Sequence, residues 1–186
     1  GTSPAAVGLW TLGEDRLTQS AISKASKTSG QSVDDLTAMA IIESTGNRNV
    51  GTNAFGYTGL MQMGQAAATD VGMSYSSLVG GANVTNNAVA GAKYMNINAK
   101  RLDEDIPRDP LHMYLAHQQG AGGTNALMET LANNPSAAAT RNQRNNLPGK
   151  VLEELGGSVS QQDFYDYWSG KMGAIQSAIQ EQKKKP

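Results

Sequence analysis

Residues 32–44 read SVDDLTAMAIIES and carry the clearest helical pattern in the chain. Ser32 is a favoured N-cap residue, and the two aspartates that follow suit the positive end of a helix dipole. Apolar residues then recur at helical spacing, which predicts a stripe that faces the core. Its members are Val33, Leu36, Ala40 and, at the end, Glu43. The pattern therefore predicts a helix that ends near Ser44 and holds Glu43 on its apolar side.

Glu43 is the candidate catalytic residue. A carboxyl group at the apolar end of a helix is costly to ionise, and burial favours the protonated form that a general acid needs near neutral pH. The alternative is a solvated glutamate at a fraying helix end, because residues 44–47 read STGN and break the pattern.

Composition limits the remaining chemistry. The 186 residues fit one domain, which we expect to span residues 1–186. The chain has no cysteine, and His112 and His117 stand five residues apart, which does not match a helical zinc pair, so we expect no metal and no cofactor. A net charge of −1 leaves no basic surplus for nucleic acid.

The sequence shows neither a membrane-spanning segment nor a signal peptide pattern. No stretch approaches the roughly 18 apolar residues of a membrane span, and the N-terminus has no pattern of a signal peptide. The lysine run at 183–185 is typical of a solvated end, so we expect a disordered tail over residues 183–186.

Helical periodicity extends on both sides of residues 32–44 and predicts an all-α fold. Thr11 and Glu14 resemble a capping box that opens a helix towards Gly30. A small irregular hairpin could form in the polar stretch 46–59, and 133–149 is predicted to be a long loop. Further helices are predicted over residues 62–71, 86–102, 110–119, 125–131, 150–155 and 161–182.

Three stretches together resemble a known family. They are AMAIIES at 38–44, GLMQM at 59–63 and YLAHQQGAG at 114–122. In this order they resemble the motifs of lytic transglycosylases, which share the goose-type lysozyme fold, over residues 14–123. The resemblance implies a mainly helical, lysozyme-like domain that acts on peptidoglycan glycan strands.

The resemblance also implies roles for individual residues. Glu43 would be the catalytic acid and base, while Ser44 would orient groups in the cleft; from the residues alone, Ser44 could equally cap the helix. Glycine at 59 would let the backbone approach a sugar, and Gln62 would hydrogen-bond its polar groups. The expected substrate-binding residues are Ser44, Tyr57, Gly59, Met61, Gln62, His117 and Gln118, although Met61 also fits a core position.

The third motif departs from the family pattern Ala-Tyr-Asn-x-Gly. His117 and Gln118 stand where the family has tyrosine and asparagine. A histidine fills similar space and donates a proton, but an ordinary core or surface histidine fits the sequence too. A late tyrosine found in many relatives has Tyr165 and Tyr167 as candidates, and both also fit core packing of the last helix.

The expected reaction depends on the absence of a second carboxylate near Glu43 in the sequence. Glycosidases normally use two carboxylates, yet residues 44–69 contain neither Asp nor Glu. The resemblance therefore implies the transglycosylase reaction, in which the C6 hydroxyl of N-acetylmuramic acid closes a 1,6-anhydro ring. Two alternatives stay open: a goose-type lysozyme that uses water, and an inactive wall-binding module of a phage tail or secretion machine.

The form of the third motif also resembles virion-associated phage enzymes. We therefore expect action on the cell wall in the bacterial periplasm after delivery by a phage particle or a secretion apparatus, whose components are the candidate protein partners. Neither nucleic acid binding nor membrane insertion is expected.

Overall fold

The computed structural model describes residues 3–186, and over this range the secondary structure is helical. Nine α-helices are joined by turns and by two short 3-10 helices, Tyr75–Leu78 and Gly81–Asn83. The α-helices are α1 Pro4–Gly13, α2 Arg16–Ser29, α3 Val33–Ser44, α4 Gln65–Asp70, α5 Val84–Arg101, α6 Pro110–Asn133, α7 Arg141–Asn145, α8 Gly149–Leu155 and α9 Gln161–Lys183. Residues 3–186 contain no β-strand, which confirms the predicted all-α, lysozyme-like fold. Where a hairpin seemed possible, only an isolated bridge joins Thr58 and Met63.

The helices form two compact units. The first extends to Ile97 and also includes Met172–Pro186, while the second consists of Asn98–Lys171. Both α5 and α9 contribute residues to each unit.

The start of the chain differs from the prediction. Thr11 lies inside α1 and its hydroxyl donates to the Val7 carbonyl oxygen at 2.8 Å, so the predicted capping box with Glu14 is wrong. The N-cap of α2 is instead Asp15, whose carboxylate accepts from the backbone N–H of Leu17. A short polar break thus separates two helices where the pattern indicated one.

The predicted helix at 32–44 is present with the predicted cap. Ser32 Oγ accepts from the backbone N–H of Asp35 at 3.0 Å, and the helix ends at Ser44. The buried surface is broader than one stripe, because residues 38–42 are all buried. Val33 is 48% exposed, so the prediction that the buried stripe begins there is wrong.

Helix α6 is broken at Gly120, where φ 78° and ψ 155° are not helical. The two helical parts on either side of this kink agree with the two separate helices predicted at 110–119 and 125–131, although the second begins earlier than predicted. The predicted long loop at 133–149 contains α7. This helix begins with a capping box, in which the Thr140 and Gln143 side chains bond to each other's backbone N–H groups.

The C-terminal lysines are partly ordered. Lys183 is the last residue of α9, and its ammonium lies 2.7 Å from a carboxylate oxygen of Asp34. The predicted disordered tail is therefore wrong at Lys183. Within residues 3–186, no helix combines the length and the apolar character that a membrane crossing requires.

Asp15 connects the start of α2 to the segment that follows α3. One carboxylate oxygen accepts from the Thr18 hydroxyl at 2.7 Å and from Arg48 Nε at 2.6 Å. Burial by itself would raise the pKa of Asp15, but the hydrogen bonds from Thr18 and Arg48 outweigh it and hold the pKa below the ordinary value of 3.8.

We predict that Asp15→Asn lowers the free energy of unfolding by about 0.5–1.5 kcal/mol at neutral pH, because asparagine keeps the cap but loses the charge. A depressed carboxyl pKa stabilises the fold above the unfolded-state pKa of 3.8, and this contribution disappears as the pH falls through the lower folded-state value. Urea unfolding of both proteins between pH 2 and 7, a range chosen on either side of these values, measures the difference.

In an Arg48→Met background the effect of Asp15→Asn should be smaller, because the charge has lost its partner. A difference that persists at the lowest pH, or that Arg48→Met leaves unchanged, would contradict this account.

Candidate active site

Glu43 occupies the penultimate position of α3 and is half-buried. Its neighbours Ile42 and Ser44 are buried, at 8% and 7% exposure. The helix stops abruptly after it, because Thr45 and Gly46 take left-handed conformations with φ 55° and 71°. Their backbone N–H groups return to the carbonyls of Ile41 and Ala40 at 2.9 and 3.1 Å. Glu43 thus stands at a rigid helix end, more exposed than a core residue and less exposed than a surface glutamate.

Ser44 has an identifiable structural contact. Its hydroxyl donates to the Ala40 carbonyl oxygen at 3.0 Å, one turn earlier in α3. The proton of this hydroxyl is therefore committed to the helix, and Ser44 could act on a ligand only through the lone pairs of its oxygen.

Gln62 lies in a tight turn on the stretch GLMQM. Thr58 and Met63 exchange two backbone hydrogen bonds of 3.1 and 3.0 Å, and residues 59–62 form the turn between them. Gln62 has φ 49°, a left-handed conformation that is costly for a residue with a side chain. Its side-chain N–H donates to the Gly59 carbonyl oxygen at 2.9 Å, which fixes the direction of the half-buried amide.

Asn87 of α5 holds this turn in place and was not identified from the sequence. Its side-chain oxygen accepts from the backbone N–H of Met61 at 2.8 Å, and its amide group donates to the carbonyls of Thr58 and Leu78 at 3.0 and 3.1 Å. Asn87 is 1% exposed, so each of these bonds is made in the protein interior. No local pattern could have indicated it, because the turn lies 26 to 29 residues earlier in the chain.

Gly59 is required by this packing. It has φ +75°, and a Cβ atom at this position would overlap the side-chain nitrogen of Asn87. Gly59 is buried and its carbonyl oxygen accepts from Gln62. The close approach that requires glycine at this position is that of the Asn87 amide, while a role of Gly59 in sugar binding stays a prediction.

Met61 belongs to the core. It is 2% exposed and packs so closely on α5 that a Cβ at Gly91 would lie 2.6 Å from its Cγ. This burial corrects the prediction that the Met61 side chain binds substrate. Tyr57, by contrast, is 42% exposed, and one edge of its ring lies over the backbone of Gly64.

His117 and Gln118 lie in α6, in the second unit, immediately before the break at Gly120. Both are half-buried. Gln118 Nε2 donates to the Tyr114 hydroxyl at 3.0 Å, and Gln119 and Asn142 extend this chain of hydrogen bonds towards α7. The Tyr114 ring in turn packs on Trp168, with centroids 5.0 Å apart. Gln118 is thus part of an ordered amide network.

The two candidates for a late tyrosine have contacts within the second unit. The Tyr165 hydroxyl lies 3.0 Å from Nε2 of His112, and the Tyr167 ring packs edge-on against Trp168. The other ring nitrogen of His112, Nδ1, lies 2.7 Å from Asp109. Burial would raise the pKa of Asp109, but hydrogen bonds from the ring and the backbone N–H of His112 keep it below its ordinary value. His112 is 4% exposed and joins α6 to α9.

A groove of about 500 Å³ is present in the first unit, but its walls carry no ionisable side chain. They are formed by Leu9, Leu12, Gly13, Gln19, Ile22, Val33, Thr37 and Gln182. Because acid–base chemistry needs a titratable group, Glu43 remains the stronger candidate. Among residues 3–186, no three His, Asp or Glu side chains are grouped as a metal site would require.

The helical fold defines the class: an all-α, lysozyme-like protein. Residues 20–141 match the model of the transglycosylase SLT domain, so the chain belongs to this family. The family match confirms the resemblance seen in the three motifs and includes all of them. The protein is thus of the lytic transglycosylase type that acts on peptidoglycan. No curated protein matches the chain in a sequence search.

The packing of Gly59 on Asn87 leads to a graded prediction with internal controls. Gly59→Ala should lower the free energy of unfolding by at least about 2 kcal/mol, because it adds a steric overlap to the cost of a left-handed backbone. Gly72→Ala should cost only about 1 kcal/mol, since Gly72 has φ +72° and open space around its Cβ position.

Gly51→Ala should be close to neutral, because Gly51 has open space and no positive φ. Chemical denaturation of the three variants measures the order. An equal loss of unfolding free energy for Gly59→Ala and Gly72→Ala would show that the contact with Asn87 does not contribute to the requirement for glycine at position 59.

Proposed function

We propose that the protein is a lytic transglycosylase that cleaves the β-1,4 bond between N-acetylmuramic acid and N-acetylglucosamine without water, with Glu43 as acid and base. The observation that carries this proposal is the isolation of Glu43 in the sequence. It is the single carboxylate of residues 36–69, which include the last part of α3 and the Gln62 turn. A two-carboxylate hydrolase would need a second acid on the opposite side of the sugar.

One carboxyl group suffices for the proposed reaction. Protonated Glu43 gives its proton to the glycosidic oxygen as the bond from that oxygen to C1 of the muramic acid breaks. The C6 hydroxyl of the same sugar then forms a bond to C1 and gives its proton to the Glu43 carboxylate. The acid is regenerated, one bond replaces another, and no water is consumed. The attack is favoured because the hydroxyl already belongs to the reacting sugar, which gives it a high effective concentration.

Gln62 is the proposed residue for binding the polar groups of the sugar. After its bond to the Gly59 carbonyl, the side-chain amide retains a second N–H and its carbonyl oxygen. An amide with one fixed bond loses less conformational entropy on binding than a mobile side chain. Tyr57 would add a half-exposed ring, and the oxygen of Ser44 would accept a hydrogen bond near Glu43.

His117 and Gln118 are the proposed substitutes for the tyrosine and asparagine of the family pattern. The contacts of Gln118 with Tyr114 and Gln119 support a positioning role: they hold this part of α6 in one arrangement before the break at Gly120. His117 would then supply the hydrogen-bonding ring that the family supplies with tyrosine.

The site of action that we propose is the cell wall in the periplasm, after delivery by a phage particle or a secretion apparatus. The His-Gln-Gln form of the third motif, which resembles virion-associated enzymes, supports this route. Detection of the protein in purified phage particles, by mass spectrometry of their peptides, would test it.

Hydrolysis by a goose-type lysozyme is the nearest alternative, and the products distinguish the two reactions. We predict that digested peptidoglycan yields fragments that end in 1,6-anhydro-muramic acid, each lighter by one water than a hydrolysis product. Mass spectrometry of a digest in heavy-oxygen water makes the comparison. Labelled reducing ends in place of anhydro ends would establish hydrolysis.

We predict that Glu43→Gln lowers the rate of soluble fragment release by at least about 100-fold, because general acid catalysis commonly contributes that much or more. The substitution keeps the size and hydrogen-bonding capacity of the side chain, so binding to peptidoglycan should remain. Glu14→Gln is the matched control, since Glu14 is exposed at the end of α1, and it should retain full activity.

Equal rates for Glu43→Gln and the unmodified protein would refute the assignment of Glu43. If the unmodified protein binds peptidoglycan but releases no fragments, the inactive wall-binding module is the correct alternative.

A further inference from the structure

Phe55 is the most exposed large apolar side chain among the described residues, at 86%. It lies at the tip of the turn formed by residues 53–57, just before the GLMQM stretch. An exposed aromatic ring on an ordered turn presents a flat apolar face that can stack on a ligand.

The turn that carries Phe55 is held by a dense set of hydrogen bonds. The side-chain oxygen of Asn53 accepts from the backbone N–H groups of Phe55 and Tyr57 at 2.9 and 3.1 Å. The backbone of Asn53 donates to the Tyr57 carbonyl at 2.9 Å and accepts from Gly56 at 3.0 Å. The Tyr75 hydroxyl donates to the Gly56 carbonyl at 2.6 Å. The ring is thus exposed on a turn whose backbone is fixed by hydrogen bonds.

The same turn is connected to the turn that carries Gln62. Thr58 follows Tyr57 directly and pairs with Met63, while its hydroxyl accepts from the hydroxyl of Thr52 at 3.0 Å. The Tyr57 ring lies against Gly64, on the far side of the Gln62 turn. Phe55 and Gln62 therefore belong to one connected structure of the first unit.

The chemistry around Phe55 fits a neutral, hydroxyl-rich ligand. Residues 49–69 contain no Asp, Glu, Lys, Arg or His, but they include asparagine, threonine and glutamine. A pyranose ring offers C–H groups on its face and hydroxyl or acetamido groups at its edge, which match an aromatic ring with neutral polar neighbours.

We propose that Phe55 is a saccharide-stacking residue that binds an N-acetylated sugar ring of the glycan strand. The proposal rests on the proposed function for the nature of the strand, but it does not depend on turnover. Asn53 is the corresponding positioning residue, because it holds the backbone of Phe55 without being required to touch the sugar.

The test measures binding without cleavage. Calorimetric titration uses the full chain with Glu43→Gln and, as the probe, peptide-free glycan strands prepared from peptidoglycan with an amidase. Adding Phe55→Ala should raise the Kd about three- to tenfold, the range expected for one aromatic stacking contact. Phe55→Trp should keep the affinity. Thermal unfolding should be unchanged in Phe55→Ala, since the side chain is 86% exposed.

Trp10→Ala is the matched control, because Trp10 is an exposed aromatic residue of α1, at 68%, outside the proposed site. It should leave the Kd unchanged. Asn53→Ala should weaken binding when Phe55 is present and add little in the Phe55→Ala protein, because Asn53 acts through the ring. A merely structural role of Asn53 would give the same loss in both backgrounds.

Three results would overturn the proposal: an unchanged Kd in Phe55→Ala, an equal loss in Trp10→Ala, or no binding by the Glu43→Gln parent. A loss seen only with peptide-bearing strands would assign the ring to the stem peptide instead of the sugar. Failure of the proposed reaction is distinguishable, because it would appear as absent fragment release by the unmodified protein while the affinities still decide the role of Phe55.

Discussion

The three hydrogen bonds of the Asn87 side chain are the constraint on which the candidate site depends. A buried amide must satisfy its donors and its acceptor, and Asn87 does so with the backbone of Thr58, Met61 and Leu78. Without Asn87, the Met61 N–H and the Leu78 carbonyl would lose this partner, whereas the Thr58 carbonyl would keep its bond from the Met63 N–H. One side chain of α5 therefore determines where the Gln62 turn lies, and Gly59 must be glycine for the backbone to approach that amide.

Two non-glycine residues with left-handed backbone lie next to residues of the proposed site. Among the non-glycine residues that the structure describes, positive φ occurs at Thr45 and Gln62. Thr45 directly follows the end of α3, two residues after Glu43, and Gln62 carries the proposed sugar-binding amide. Such conformations are costly and persist only where the surrounding structure fixes them. At the end of α3, the backbone hydrogen bonds of Thr45 and Gly46 to the last turn of the helix supply that restraint. At the Gln62 turn, the hydrogen bonds of Asn87 supply it. The cost of the strain is consistent with a site that requires fixed positions for its groups.

Helix α3 could be predicted because its signals are local in the sequence. Contacts between residues far apart in the chain could not be predicted, because no sequence pattern indicates them. The cap at Ser32 and the end at Ser44 follow from neighbouring residues, and the all-α fold follows from helical spacing. The first helix was missed because Thr11 and Glu14 resemble a start signal, although Thr11 lies within α1. In the site, the motifs singled out Glu43 and Gln62, whose roles stay predictions, but they did not indicate that Gly59 and Met61 pack on α5. The reason is that α5 lies far along the chain from those two positions.

The departure of the third motif from the family pattern is accommodated within α6. A glutamine is one methylene longer than the asparagine of the family pattern, and the amide of Gln118 reaches back one turn to the Tyr114 hydroxyl. Gln119 then donates to Gln118, so the longer side chain is held by its neighbours. Because Tyr114 is itself packed on Trp168, the substitution is tied to the aromatic core of the second unit. His117, the proposed substitute for the family tyrosine, is thus next to an ordered amide network, which supports the proposal that the architecture of the site is retained.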